Sequence, residues 1–185
     1  VLTRQDDVFV PLEARVTAAK MAGADVFLSL HADVVLEGQA RGVAIYTLSV
    51  EASDIATEKL AERHDRDDLL SGVDLSQQDD TVAFVLMDMA RNDTAFRTNS
   101  LADFLIGALE PKVELYKNPR LEAGFSVLKS PDIPSVLIEL GFMSSTHDLE
   151  KLQEADWRAR AAAGIRDGLR NWADDDAANA GLRRQ

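Results

Sequence analysis

Two residues carry chemistry at telling positions: His31 and Glu139. His31 closes the run "VFLSLH", and Asp33 follows in "SLHAD". Glu139 stands in "SVLIELGF", between Ile138 and Leu140. An imidazole can ligate a metal or carry a proton near neutral pH. A carboxylate on an apolar strand is costly to bury unless it is paired or metal-bound, and desolvation there raises its pKa towards the range of a general base. Each residue has two readings on these grounds. His31 is either a hydrogen-bonded structural residue or a metal ligand. Glu139 is either an edge residue facing water or a buried acid–base group.

These residues need a scaffold to hold them. "VFLSLH" reads as an interior strand of a sheet covered on both faces. In open α/β sheets ligands collect at the carboxyl ends of strands, where His31 and Asp33 would sit. A helix is expected over Val10–Ala24, with Pro11 in its first turn and Gly23 at its stop. A second strand covers Gly42–Ser49, and a helix capped by Ser53 runs to about Arg63. The acidic, glycine-containing stretch that follows reads as a loop. Apolar helices are then expected at Thr81–Arg91 and Ala95–Val113, the second shortened or kinked by Pro111. "FSVLK" and "SVLIEL" read as two short strands. "STHDLEKL" begins a small helix, Asp156–Asn171 forms the last one, and a frayed polar tail starts at Asp174. The alternation predicts an α/β fold, a twisted mostly parallel or mixed sheet with helices on both faces.

Bulk properties narrow the function. A chain of 185 residues, 46% hydrophobic and 28% charged, suits one globular domain. Its net charge of −12 argues against binding nucleic acid or an anionic membrane surface. The absence of cysteine excludes thiolate zinc sites, cysteine nucleophiles and disulfides. No window approaches the ~18 apolar residues of a membrane span. The sequence holds no HExxH, no GxSxG elbow, no P-loop and no dinucleotide fingerprint. His64 and His147 lie in charged segments and read as solvated residues, and Asp65, Asp67 and Asp68 lack the spacing of a calcium loop. With no initiator Met, "VLTR" reads as the tail of a strand inside a larger domain.

In order along the chain, "VLTR", "PLEARVTAAKMAGADVFLSLHAD" and "PDIPSVLIELGFMSS" resemble the zinc-dependent N-acetylmuramoyl-L-alanine amidases of the amidase-3 type, and most closely the bacterial cell-division amidases. The resemblance runs from Val1 to about Trp172. It implies an enzyme that cuts the amide between N-acetylmuramic acid and L-alanine in peptidoglycan, acting in the periplasm during daughter-cell separation. It also implies Zn²⁺ as cofactor, His31 as a zinc ligand and Glu139 as the catalytic residue. The family's other two ligands, a histidine and a glutamate, lie upstream of "VLTR". On this reading residues 1–172 are a catalytic domain lacking its first strand and helix, and 173–185 are a flexible tail.

The division amidases carry a helical regulatory insertion, matched here by about 61–95. A glutamate in that insertion reaches the zinc and blocks the site; His64 stands at the matching point, a possible regulatory metal contact. The helix Thr81–Arg91 reads either as core or as a face for a LytM-type activator protein. Two other readings remain: a non-catalytic wall-binding or regulatory module of the same fold, and a different zinc hydrolase such as a carboxypeptidase.

Overall fold

The structure, a computed structural model, describes residues 1–35, 40–49, 51–70, 81–129 and 132–181; the side chains of 64–70 and 81–93 lie outside the described set. The first helix, α1 (Leu12–Met21), starts directly after Pro11 and ends before Gly23, whose φ of 63° turns the chain out of the helix. Strand β1 (Phe27–His31) follows, then β2 (Val43–Leu48), α2 (Ile55–Leu70) and the long α3 (Thr81–Leu109). Strand β3 (Leu115–Ala123), a 3₁₀ turn (Ser126–Leu128), β4 (Ser135–Glu139), α4 (Thr146–Gln153) and α5 (Ala155–Asn179) complete the order.

The strands lie in the order β1-β4-β2-β3. β1 runs parallel to β4 and β2 parallel to β3, while β2 and β4 are antiparallel. The sheet is therefore mixed, as expected, and helices cover both faces. Because side chains alternate along a strand, β4 sends Leu137 into one core and Val136 and Ile138 into the other. The first core gathers Leu12 and Ala19 of α1, Leu60 and Ala61 of α2, and Phe125, Val127 and Leu128. The second joins Leu101, Leu105 and Leu109 of α3 to Trp157, Ala161 and Trp172 of α5. The α3–α5 contact is close because Gly168 has no side chain; a Cβ there would stand 2.9 Å from the Cα of Leu105.

Several expectations are corrected. β1 is an edge strand among the described residues, paired with β4 alone, and Leu30 is 56% exposed. The helices on Leu30's side pack over β2, β3 and β4, so an apolar run here did not mean cover on both faces. "FSVLK" is a 3₁₀ turn, not a strand; Val127 and Leu128 are buried all the same. The two helices expected at Thr81–Arg91 and Ala95–Val113 are one helix, since no Gly or Pro interrupts Asn92–Thr94, and Pro111 lies beyond its end. The acidic stretch after Arg63 continues α2 to Leu70, where polarity suggested a loop but no breaker occurs before Gly72. α5 likewise continues through Asp174 to Asn179, where Arg97 grips Asp176 with two hydrogen bonds of 2.9 and 3.0 Å. β3 has no counterpart among the expected strands because "LYKNPRLEA" is polar and holds Pro119. Its pairing with β2 jumps from Leu115 to Arg120, a bulge that frees the proline from having to donate.

Candidate active site

The register of β1 on β4 places His31 directly beside Glu139. Both are the last residues of their strands, and neighbouring parallel strands lie about 4.8 Å apart. Sharing the parity of Ser29 and Leu137, they project to the face covered by α1 and α2. Beyond the strand ends the two chains stay joined. Leu140 N–H donates to the His31 carbonyl at 2.9 Å, and Met143 N–H to the Asp33 carbonyl at 2.8 Å.

Glu139 is fully buried. Its Oε1 accepts a 2.7 Å hydrogen bond from the Asp33 backbone N–H, while Oε2 has no hydrogen-bond partner among the described residues. Burial pushes the Glu139 carboxyl up to about 9, and the negative Asp33 side chain adds to the rise against the stabilising N–H bond. Burial thus favours the neutral form of the group, which is held in one orientation with one oxygen uncommitted among the described residues. His31 is partly buried; its Nε2 pairs with Ser29 Oγ at 2.8 Å, and its Nδ1 lies 3.7 Å from Asp33 Oδ2.

A second buried carboxylate supports this end of the sheet, and sequence reading missed it. Asp148 accepts hydrogen bonds on Oδ2 from Gly42 N–H (3.0 Å) and Phe142 N–H (2.9 Å). One oxygen thereby ties the turn after β4 to the start of β2. The spacing Ser145-x-x-Asp148 resembles a helix-capping box, in which the acid would turn back to the cap. Ser145 does accept from Asp148 N–H at 3.3 Å, but the carboxylate is diverted to the two loops. Gly42 permits the approach: its φ is 94°, and a Cβ would lie 2.6 Å from the Leu115 carbonyl carbon.

His147, read as solvated, lies 3.3 Å from Glu114 in a half-exposed pair. His64 belongs to α2, but its side chain and those of Asp65, Asp67 and Asp68 lie outside the described residues, as do the side chains of Thr81–Arg91. A catalytic zinc takes three protein ligands and keeps one position open. Among the described residues no three His, Cys, Asp or Glu side chains converge on such a point. His31 can supply one donor, so the described residues do not by themselves fit a catalytic zinc.

Comparison with known proteins settles the family. The family model described as N-acetylmuramoyl-L-alanine amidase matches residues 1–171. The chain belongs to this amidase family. Among its relatives, the N-acetylmuramoyl-L-alanine amidase AmiC of Escherichia coli is 34% identical over 177 residues, covering 95% of this chain and 42% of AmiC. AmiA of Escherichia coli is 34% identical over 169 residues, covering 91% of this chain and 58% of AmiA. The chain thus spans about half the length of these relatives. Solved structures of family members share the fold. The amidase AmiC2 of Nostoc punctiforme superposes with a TM-score of 0.62 at 21% identity, covering 94% of this chain and 72% of that one. Ami1 of Mycobacterium smegmatis gives 0.60 at 17%, covering 95% and 67%.

The state of Glu139 has a measurable consequence. Its pKa is raised in the folded protein, so its contribution to stability is full below pH 4.5 and is lost as pH rises towards about 9. Glu139→Gln removes that dependence with little change of shape. In chelator-treated protein, the variant should match the wild type near pH 4 and exceed it progressively above, by about 1 kcal/mol per pH unit. Denaturant melts at pH 4, 6 and 8 read the difference; a constant offset would show that Glu139 is ionised in the fold.

Proposed function

We propose that this amidase chain hydrolyses the amide bond between N-acetylmuramic acid and L-alanine in peptidoglycan, with Glu139 as the acid–base residue. The observation that carries the reading is the buried Glu139, oriented by the Asp33 N–H, with Oε2 unpartnered among the described residues. Amide hydrolysis needs a proton taken from the attacking water and one given to the leaving amine. In its ionised form such a carboxylate takes the first proton, and once protonated it gives one to the amine, a general acid–base role contributing about 10²–10⁴-fold in rate. His31, on the neighbouring strand end, is the second polar group at the reacting face. The family's relatives named as N-acetylmuramoyl-L-alanine amidases support the substrate class.

The test is the release of free alanine amines from purified peptidoglycan. Glu139→Gln is expected to lower that release by at least 10²-fold. Release of reducing sugar ends instead of amines would overturn the assignment, and so would a variant as active as wild type.

Zinc is the cofactor and His31 one of its ligands, the enzyme acts in the periplasm in cell division, and about 61–95 is a regulatory insertion answering to a LytM-type activator. The donor set sets the expectation for zinc. By equilibrium dialysis the chain takes up zinc more weakly than a three-ligand site does, and His31→Ala removes what is bound. Uptake indifferent to His31 would remove that residue from the metal. For the insertion, His64→Ala raises basal amine release if this imidazole helps to block the site. An unchanged basal rate excludes it. Among the described residues no helix is long and apolar enough to cross a membrane.

A further inference from the structure

Beyond His31 the chain is held from two different elements. The turn after β4 supplies one set of bonds: Met143 N–H donates to the Asp33 carbonyl at 2.8 Å, and Ser144 Oγ accepts from Val35 N–H at 3.3 Å. The second hold comes from a helix. Nη1 of Arg63, 29 positions along the chain on α2, donates to the Val34 carbonyl. Together with the Asp33 N–H given to Glu139, these bonds engage three successive peptide groups. A peptide group is a rigid plane, so each one pinned leaves fewer torsions free. The plane joining Val34 to Val35 is pinned at both edges, its N–H by the β4 turn and its carbonyl by α2.

The position of Arg63 is set by packing elsewhere on its helix. Thr57, Leu60 and Ala61 are buried, a stripe at helical spacing, and the last two enter the first core. Asp54 fixes the start of α2, its Oδ1 accepting from Thr57 N–H at 2.8 Å. Arg63 follows Leu60 by three positions and so lies beside that stripe. A long side chain there can run its apolar stem along the core and carry its charged head out to the loop. The guanidinium is always ionised, and a bond from an ionised donor is roughly twice as strong as a neutral one. The loop therefore takes its place from α2.

We propose that Arg63 is a positioning residue for Glu139: its bond to the Val34 carbonyl fixes the loop that aims the Asp33 N–H at the carboxyl, and ties that aim to the position of α2. The inference rests on the proposed acid–base role of Glu139 and deepens it by naming a helix outside the strand ends on which the site's geometry depends.

Arg63 acts through the loop. Released from α2, the plane between Val34 and Val35 can rotate, and the Asp33 N–H two planes back loses its fixed direction. A reacting group has to be held within about 0.5 Å of its productive position, and a misplacement of about 1 Å can cost 10²-fold in rate. Arg63 and its neighbour His64 thus carry opposite expectations. Removing a blocking imidazole raises basal turnover, and removing the Arg63 donor lowers it.

The experiment is amide hydrogen exchange on the ¹⁵N-labelled chain, read by NMR for the wild type, Arg63→Ala, Arg63→Met and Glu62→Ala. The methionine keeps an apolar stem and removes the donor, and Glu62 is an exposed neighbour on the same helix. Both Arg63 variants are expected to speed exchange at Asp33 about tenfold while Val136–Ile138 of β4 stay within about twofold of the wild type. Glu62→Ala should match the wild type throughout. With soluble muropeptides as substrate, Arg63→Met should lower kcat about tenfold and leave KM within about twofold. Unprotected Asp33 in the wild type, or equal exchange there in Arg63→Met, overturns the proposal. So does an effect confined to Arg63→Ala, which would belong to the stem, or an equal rise at Val136–Ile138, which would mark a general stabiliser. Because exchange is read without turnover, the two proposals separate. A loosened Asp33 in a chain whose wild type releases no amine strikes the hydrolase reading alone, and an unchanged kcat in Arg63→Met beside an active wild type strikes the positioning role.

Discussion

One hydrogen bond organises the reacting end of the molecule: the Asp33 N–H held by Glu139 Oε1. It forms only if β1 and β4 are in the register that sets His31 beside Glu139, and only if the chain after His31 turns back over the end of β4. In a fully buried setting a carboxyl without that donor would be free to rotate and would lose an oriented proton. With the donor, one oxygen is committed and the other is presented. The rest of the site, from the loop bonds of Leu140 and Met143 to the Asp148 tie, keeps that arrangement from slipping.

The two carboxylates at this end face opposite problems. Asp148 collects two backbone N–H groups on one oxygen, which satisfies its burial. Glu139 receives one such bond, has Asp33's negative side chain for company, and is pushed towards the neutral acid. The difference is environmental rather than chemical. The same functional group is a fixed tie in one place and a carboxyl of raised pKa with one oxygen uncommitted among the described residues in the other.

Much of this was legible in the residues, for reasons that can be named. A histidine and a glutamate each closing an apolar strand pointed to two strand ends that the register sets side by side, because few other constraints put such residues there. What the sequence could not convey was neighbourhood. Nothing in "VFLSLH" distinguishes a central strand from an edge strand with Leu30 half in water. Nothing in "LYKNPRLEA" advertises a strand, because a bulge hides its period and its proline. Length signals failed wherever polarity stood in for a helix breaker, as at the end of α2 and the end of α5. Asp148 was masked by a capping pattern it only half obeys.

The antiparallel pairing of β2 with β4 gives the site a particular mechanical sensitivity. The strand bearing Glu139 arrives at this end of the sheet, and β2 departs from it. Slippage by one residue would therefore turn Glu139 through to the opposite layer, among Leu101 and Leu105, and not merely displace it along the sheet. Length changes in the connections on either side of these strands are tolerable only when they leave that pairing intact. The tolerance of the molecule to insertion is thus discontinuous: wide in the loops, and absent across a few rungs of backbone.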